Sequence, residues 1–182
     1  MIQVEPLNER NLAGAGRCDG LFTVTGRLEL AAEADVLRYS VVSVPPYDKR
    51  YPAEPVDYPA WIGAPEREVF LATLDGHVAG EMRILRYWNG YAYIDDLVVD
   101  RAFRRRGVGR ALIEQAKAWA REQGLPGVML ETQNNNLAGC ALYTQCGFTL
   151  AGFDRFLYCA LHPGTEEIAL YWYWFAASAP GG

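Results

Sequence analysis

The segment from Tyr91 to Thr132 constrains the fold more than any other part of the chain. Tyr91 to Val99 reads as a strand and Val128 to Thr132 as a short buried one. Between them Gly107 to Gln123 has the period of an amphipathic helix, with Val108, Ala111, Leu112, Ala116 and Trp119 on one face. Gly124 and Pro126 stop that helix. A strand, a helix and a strand in this order are expected to form a right-handed crossover with the two strands parallel. A chain with such a unit folds as α/β or not at all.

The neighbouring patterns extend the sheet. Val69 to Leu74, a turn at Asp75-Gly76, and Val78 to Leu85 read as a hairpin, and Trp88-Asn89-Gly90 marks a further turn. Leu137 to Gln145 reads as a second helix ended by Gly147, with strand candidates near 150–159 and 167–175. Hairpins followed by alternating strands and helices predict an α/β fold with a central mixed sheet and crossover helices on both faces. The expectation is one domain over 1–182, with its motif-bearing core at about 69–160 and a short flexible tail at 177–182. The N-terminal third is less regular. Residues 7 to 17 suit a short helix, the alternating runs from Leu21 to Val44 suit strands, and the proline-rich stretch 45–65 suits a long ordered loop.

Composition narrows the function. No apolar run reaches the roughly 18 residues a bilayer span needs, and MIQVEPLNERN lacks the form of a secretion signal. A cytoplasmic protein without membrane contact is expected. Net charge is −5, yet five arginines and one aspartate lie between Asp100 and Arg110. A short basic segment on an acidic body suits one anionic ligand and a cationic second one, and is too narrow for a nucleic-acid surface. Cys18, Cys140, Cys146 and Cys159 form no CxxC pair, and neither His77 nor His162 completes a zinc set, so neither a metal nor a disulfide framework is expected.

Arg104-Arg105-Arg106-Gly107-Val108-Gly109 lies where the strand passes into the helix. Glycines there allow close backbone approach, and first-turn amides with the helix dipole can hold a pyrophosphate. The segment lacks the GK[ST] ending of a Walker A loop and the GxGxxG of a dinucleotide site.

Leu97-Val98-Val99 followed by Arg104-x-x-Gly107-x-Gly109 resembles the acetyl-coenzyme A motif of the GNAT acetyltransferases. Asn136 and Tyr143, then Cys146-Gly147-Phe148, resemble the second motif of the same family, although Gly139 stands where alanine is more usual. Ser43-Val44-x-Pro46-Tyr47, Leu130-Glu131-Thr132-Gln133-x-Asn135-Asn136, Cys146-Gly147-Phe148-Thr149-Leu150 and Tyr171-Trp172-Tyr173-Trp174-Phe175 are similar to the streptothricin acetyltransferases within it. The resemblance implies transfer of an acetyl group from acetyl-coenzyme A, as co-substrate and without a metal, to an amine of a small cationic molecule. For the narrower group that molecule is streptothricin, acetylated on its β-lysine part with resistance as the result.

The resemblance also implies roles. Tyr143 would protonate the departing thiolate; packing on the sheet is its alternative. Leu97, Val98 and Val99 would pair with the pantetheine arm, and Arg104, Arg105, Arg106, Gly107, Val108, Gly109 and Arg110 would hold the phosphates. Asn136 would bind the co-substrate or cap the second helix. Asp95, Asp96 and Glu131 are the candidates for taking up the amine's proton. Asp95 and Asp96, adjacent on one strand, should face opposite sides unless the strand bulges. Glu81 is expected to be exposed. Trp88, Asn89, Tyr47, Tyr51, Asp154 and Tyr158 are the candidates for contact with a polycationic substrate. Trp172 and Trp174, alternating with Tyr171 and Tyr173, mark a strand packed on both faces or one lying at a homodimer contact. Competing readings are an acetyltransferase for a polyamine, an aminoglycoside or a protein N-terminus, and a non-catalytic acetyl-coenzyme A-binding module.

Overall fold

A computed structural model describes residues 1–34, 36–51 and 55–176; the tail expected at 177–182 lies outside the described residues. The chain forms two compact units. The first comprises Met1–Leu21 and Arg50–Val128, with residues 175–176, and the second comprises Phe22–Lys49 and Met129–Trp174.

In the first unit, β1 (Ile2–Pro6), β4 (Arg67–Leu74), β5 (His77–Arg86) and β6 (Ala92–Val99) lie in the order β1-β4-β5-β6, each antiparallel to its neighbour. The β4–β5 hairpin closes at Asp75 and Gly76, both with positive φ (53° and 81°), the geometry of a two-residue type I′ turn. Helix α1 (Val108–Glu122) buries Val108, Leu112, Ile113, Ala116, Trp119 and Ala120. That face is one register step wider than the expected one, because Ile113 and Ala120 are buried and Ala111 is only partly so. Gly80 on β5 lets α1 approach: a Cβ there would stand 2.9 Å from Val108 Cγ1, 3.0 Å from Leu112 Cδ1 and 3.1 Å from the Val98 carbonyl. Gly80→Ala is therefore expected to overpack this contact and lower stability by about 1–3 kcal/mol. Thermal melting checks it; an unchanged Tm would mean that α1 shifts freely.

Only Leu12–Gly14 of the expected helix at 7–17 is helical, as a single 3₁₀ turn. Asn8 and Asn11 turn this segment instead: Asn11 Oδ1 accepts the Asn8 amide at 2.8 Å and Asn8 Oδ1 accepts that of Arg10 at 2.9 Å. Leu12, Tyr58 and Trp61 then pack on Leu7, Val69 and Leu71.

In the second unit, β2 (Phe22–Glu33) and β3 (Val36–Lys49) pair as a long hairpin. The prolines of 45–65 do not end β3, contrary to the loop expected there. Val24 pairs with Tyr47 and Gly26 with Ser43, so Val44, Pro45 and Pro46 together oppose Thr25. In that bulge no ladder amide is required of either proline. Farther on, Tyr58–Trp61 forms a 3₁₀ turn. Strands β7 (Gly127–Gln133), β9 (Ala169–Phe175) and β8 (Thr149–Asp154) are ordered β7-β9-β8, with β8 and β9 antiparallel. Helix α2 (Leu137–Gln145) has the expected bounds. Among the described residues no helix is long and apolar enough to cross a membrane.

Candidate active site

The basic segment sits at the end of β6. Asp100 turns the chain: its Oδ1 accepts the Ala102 amide at 2.9 Å and its Oδ2 that of Asp19 at 2.8 Å. The arginines then divide. Arg104 folds back, Nε donating to the Val99 carbonyl at 3.2 Å, and Arg106 pairs with Asp75 at 2.9 Å over the Phe103 ring. Arg105 and Arg110 are exposed. Arg105 (φ 63°) and Gly107 (φ 88°) are left-handed, which bends the chain sharply into α1. No side chain caps α1 at Gly107, so its first-turn amides are open to a ligand. Open amides, the positive end of a 15-residue helix and two exposed guanidiniums fit a pyrophosphate.

On the same strand, β6 bulges at Asp95: Arg83 of β5 pairs with Asp96, while Ile84 pairs with Ile94. The extra residue resets the alternation, so Asp95 and Asp96 do not face opposite sides as a regular strand would require. Both meet Arg83, Asp95 Oδ2 at 3.0 Å from Nε and Asp96 Oδ2 at 3.3 Å from a terminal nitrogen. Burial pushes the Asp96 carboxyl up; Arg83 opposes this, while Glu81 and Asp95 add to it.

Glu81 is not exposed as expected but 1% accessible. Its carboxylate is satisfied by partners distant in sequence, accepting the Gly16 amide and the Tyr58 hydroxyl at 2.7 Å each. Burial and Glu81 both raise the Tyr58 phenol, which stays protonated as donor. Cys18, beside Glu81, Asp96 and Asp100, is pushed up to about 12 by burial first and these carboxylates second, so its thiol is inert near neutrality. A cavity of about 250 Å³ opens beside the cluster, lined among others by Asp57, Trp61, Arg67, Arg83 and Asp95.

The second unit carries its own polar centre. Glu131 on β7 accepts a hydrogen bond from the Tyr158 hydroxyl. Burial raises the Glu131 carboxyl; the Tyr158 bond opposes this and Glu167 adds to it. Glu167 pairs with Lys49 and takes Asn135 Nδ2 at 3.1 Å; the same nitrogen donates to the Tyr47 hydroxyl at 3.1 Å. Tyr143 is buried on α2, its ring 6.1 Å from those of Phe148 and Trp172.

A model of the acetyltransferase (GNAT) family matches residues 37–148. The chain belongs to this family. It is 36% identical to streptothricin acetyltransferase A of Bacillus subtilis (strain 168) over 154 residues, covering 84% of this chain and 88% of that protein. It is 43% identical to a streptothricin acetyltransferase of Escherichia coli over 107 residues, 59% of this chain and 62% of that one. A crystal structure of a candidate streptothricin acetyltransferase from Bacillus anthracis str. Ames, in complex with acetyl coenzyme A, superposes with a TM-score of 0.91 at 40% identity, covering 96% of this chain and 99% of that one. The expected α/β GNAT-like fold is the one found.

Within this acetyltransferase the expected site residues are variously engaged. Asn136 is seated as a cap: Oδ1 accepts the Gly139 amide at 3.0 Å and Nδ2 donates to Thr132 Oγ1 at 3.2 Å. Asp154 Oδ1 accepts the amides of Phe156 and Leu157, which ends β8. Trp88 is 86% exposed, and Asn89 Oδ1 accepts the Tyr91 amide at 3.2 Å within its turn. Tyr51 is half-buried. Tyr158 and Glu131, expected in separate roles, are one hydrogen-bonded pair. Tyr58 and Arg83 are missed by sequence reasoning. The available signal was the charged pair Glu81 and Arg83 inside the otherwise apolar Val78 to Leu85, since buried charges demand partners.

Proposed function

We propose that this acetyltransferase transfers the acetyl group of acetyl-coenzyme A to an amine on the β-lysine part of streptothricin, and so confers resistance to it. The observation that carries the co-substrate is the uncapped start of α1 behind left-handed Arg105 and Gly107, with Arg105 and Arg110 exposed for the phosphates. The substrate rests on the similarity to three proteins described as streptothricin acetyltransferases. A cytoplasmic site of action follows from the co-substrate.

The amine attacks the thioester directly. At pH 7 freeing a lysine-like amine of its proton costs roughly 4.6 kcal/mol. Asp95, Asp96 or Glu131 takes that proton, and burial makes Asp96 and Glu131 stronger bases than ordinary carboxylates. Leu97 to Val99 pair with the pantetheine arm as an added strand would, and a backbone amide there meets the oxyanion. The carbon–sulfur bond then breaks, Tyr143 gives its proton to the thiolate, and the newly acylated nitrogen releases its second proton to solvent. Solvent returns a proton to Tyr143 and removes one from the carboxyl.

The test is coenzyme A release by the purified protein with acetyl-coenzyme A and streptothricin, followed by the mass of the product. A product heavier by one acetyl group is expected. Release on another cationic amine but not on streptothricin would move the substrate, and no release on any amine would overturn the enzymatic reading.

A further inference from the structure

The bulge at Asp95 places two adjacent carboxylates on one cation. Arg83 meets Asp95 at 3.0 Å and Asp96 at 3.3 Å, and its terminal nitrogen stands 4.0 Å from Glu81 Oε1. Arg83 is itself largely buried, and it lines the cavity together with Asp95. Register fixes the arrangement: Arg83 lies directly opposite Asp96 on the paired strand, and Asp95 is the inserted residue. Without a cation at 83, two adjacent carboxylates and the buried Glu81 would repel one another, and the cheapest relief would be a bound proton.

We propose that Arg83 is a positioning residue for the transfer reaction, holding the Asp95 and Asp96 carboxylates on one guanidinium as the fixed pair that takes up the amine's proton. This rests on the acetyltransferase reading above and deepens it by selecting the β6 pair over Glu131. The charged and titratable groups around the pair set the sign; Arg67 and Asp57 line the same cavity as Arg83 and Asp95. From β5 come Arg83, which favours the ionised pair, and Glu81, which opposes it; Asp95 and Asp96 oppose each other. Cys18 of the N-terminal segment is neutral near pH 7, and so is Tyr58, which stands by Glu81 and Arg83. Arg83 is thus the cation that meets both carboxylates directly, and its removal must raise the Asp96 carboxyl. A planar fork spans two carboxylates better than a single ammonium, so lysine should replace the charge but not the whole geometry.

The experiment compares wild type, Arg83→Gln and Arg83→Lys. The acid limb of kcat/KM against pH is expected to move up by about one pH unit or more in Arg83→Gln. Most of that shift should be reversed in Arg83→Lys, with kcat of Arg83→Gln recovering toward wild type at high pH. In parallel, ¹³C-carboxyl NMR titration of aspartate-labelled protein reads the pair without catalysis, and the Asp96 transition should move up by a like amount. Melting temperature is recorded for each variant, because a residue that merely braces the fold would lower Tm and leave the limb in place. Unmoved carboxyl titrations would overturn the proposal. Moved titrations with an unmoved kinetic limb would also overturn it, and would assign the proton to another group such as Glu131. A wild type that transfers no acetyl group would instead overturn the acetyltransferase reading; the carboxyl titrations would still decide whether Arg83 holds the pair.

Discussion

Replacing Tyr143 by phenylalanine is expected to slow acetyl transfer about 10²-fold while leaving the affinity for acetyl-coenzyme A little changed. The substitution deletes one oxygen and keeps the ring that packs 6.1 Å from Phe148 and 6.1 Å from Trp172. The second unit therefore loses no apolar filling. Removing the hydroxyl should cost no more than about 0.5–1.5 kcal/mol of stability, small beside the kinetic effect. A fall in turnover with an unchanged Michaelis constant for acetyl-coenzyme A would mark an interaction made in the transition state alone. Solvent can protonate a thiolate whose pKa is near 8.5, so the loss should be partial and smallest at low pH. Steady-state thiol release across pH 6–9 measures this. An unchanged kcat would remove Tyr143 from the chemistry and leave it as a packing residue of α2.

What was legible in this sequence was what local chemistry decides. The helices α1 and α2 announce their ends through Gly124, Pro126 and Gly147, and Asp75-Gly76 announces its turn, because a stop or a reversal depends on a few consecutive residues. The basic segment was legible for the same reason. What stayed hidden depends on pairing. Whether Asp95 and Asp96 share a side is decided by the register of β6 on β5, which slips by one residue between Arg83 and Ile84. Pro45 and Pro46 remain within β3 because a bulge opposite Thr25 receives them. Glu81 reads as a surface residue by type, since glutamate is rarely buried without partners. Its partners, Gly16 and Tyr58, lie 65 and 23 positions away. No periodicity reports such a contact.

Glu81→Leu carries the largest expected effect on stability. The carboxylate accepts two bonds of 2.7 Å at a position closed to water, and a hydrogen bond to a charged group is worth about 1.5–3 kcal/mol. Leucine fills similar space but orphans the Gly16 amide and the Tyr58 hydroxyl. A loss of at least about 3 kcal/mol follows, which for a chain of this size lowers Tm by about 6–12 °C. The double variant Glu81→Leu with Tyr58→Phe should lose less than the sum of its parts, because removing both partners leaves one orphan fewer. A Tm within a degree or two of wild type for the single variant would show that water reaches these groups. The same substitution has an opposite signature in catalysis from that of Arg83→Gln. Glu81 is one of the charges that hold the Asp96 carboxyl up. Its loss should carry the acid limb to lower pH, whereas loss of Arg83 carries it to higher pH. Two variants of adjacent β5 side chains that move one limb in opposite directions cannot both be explained by loosening of the fold.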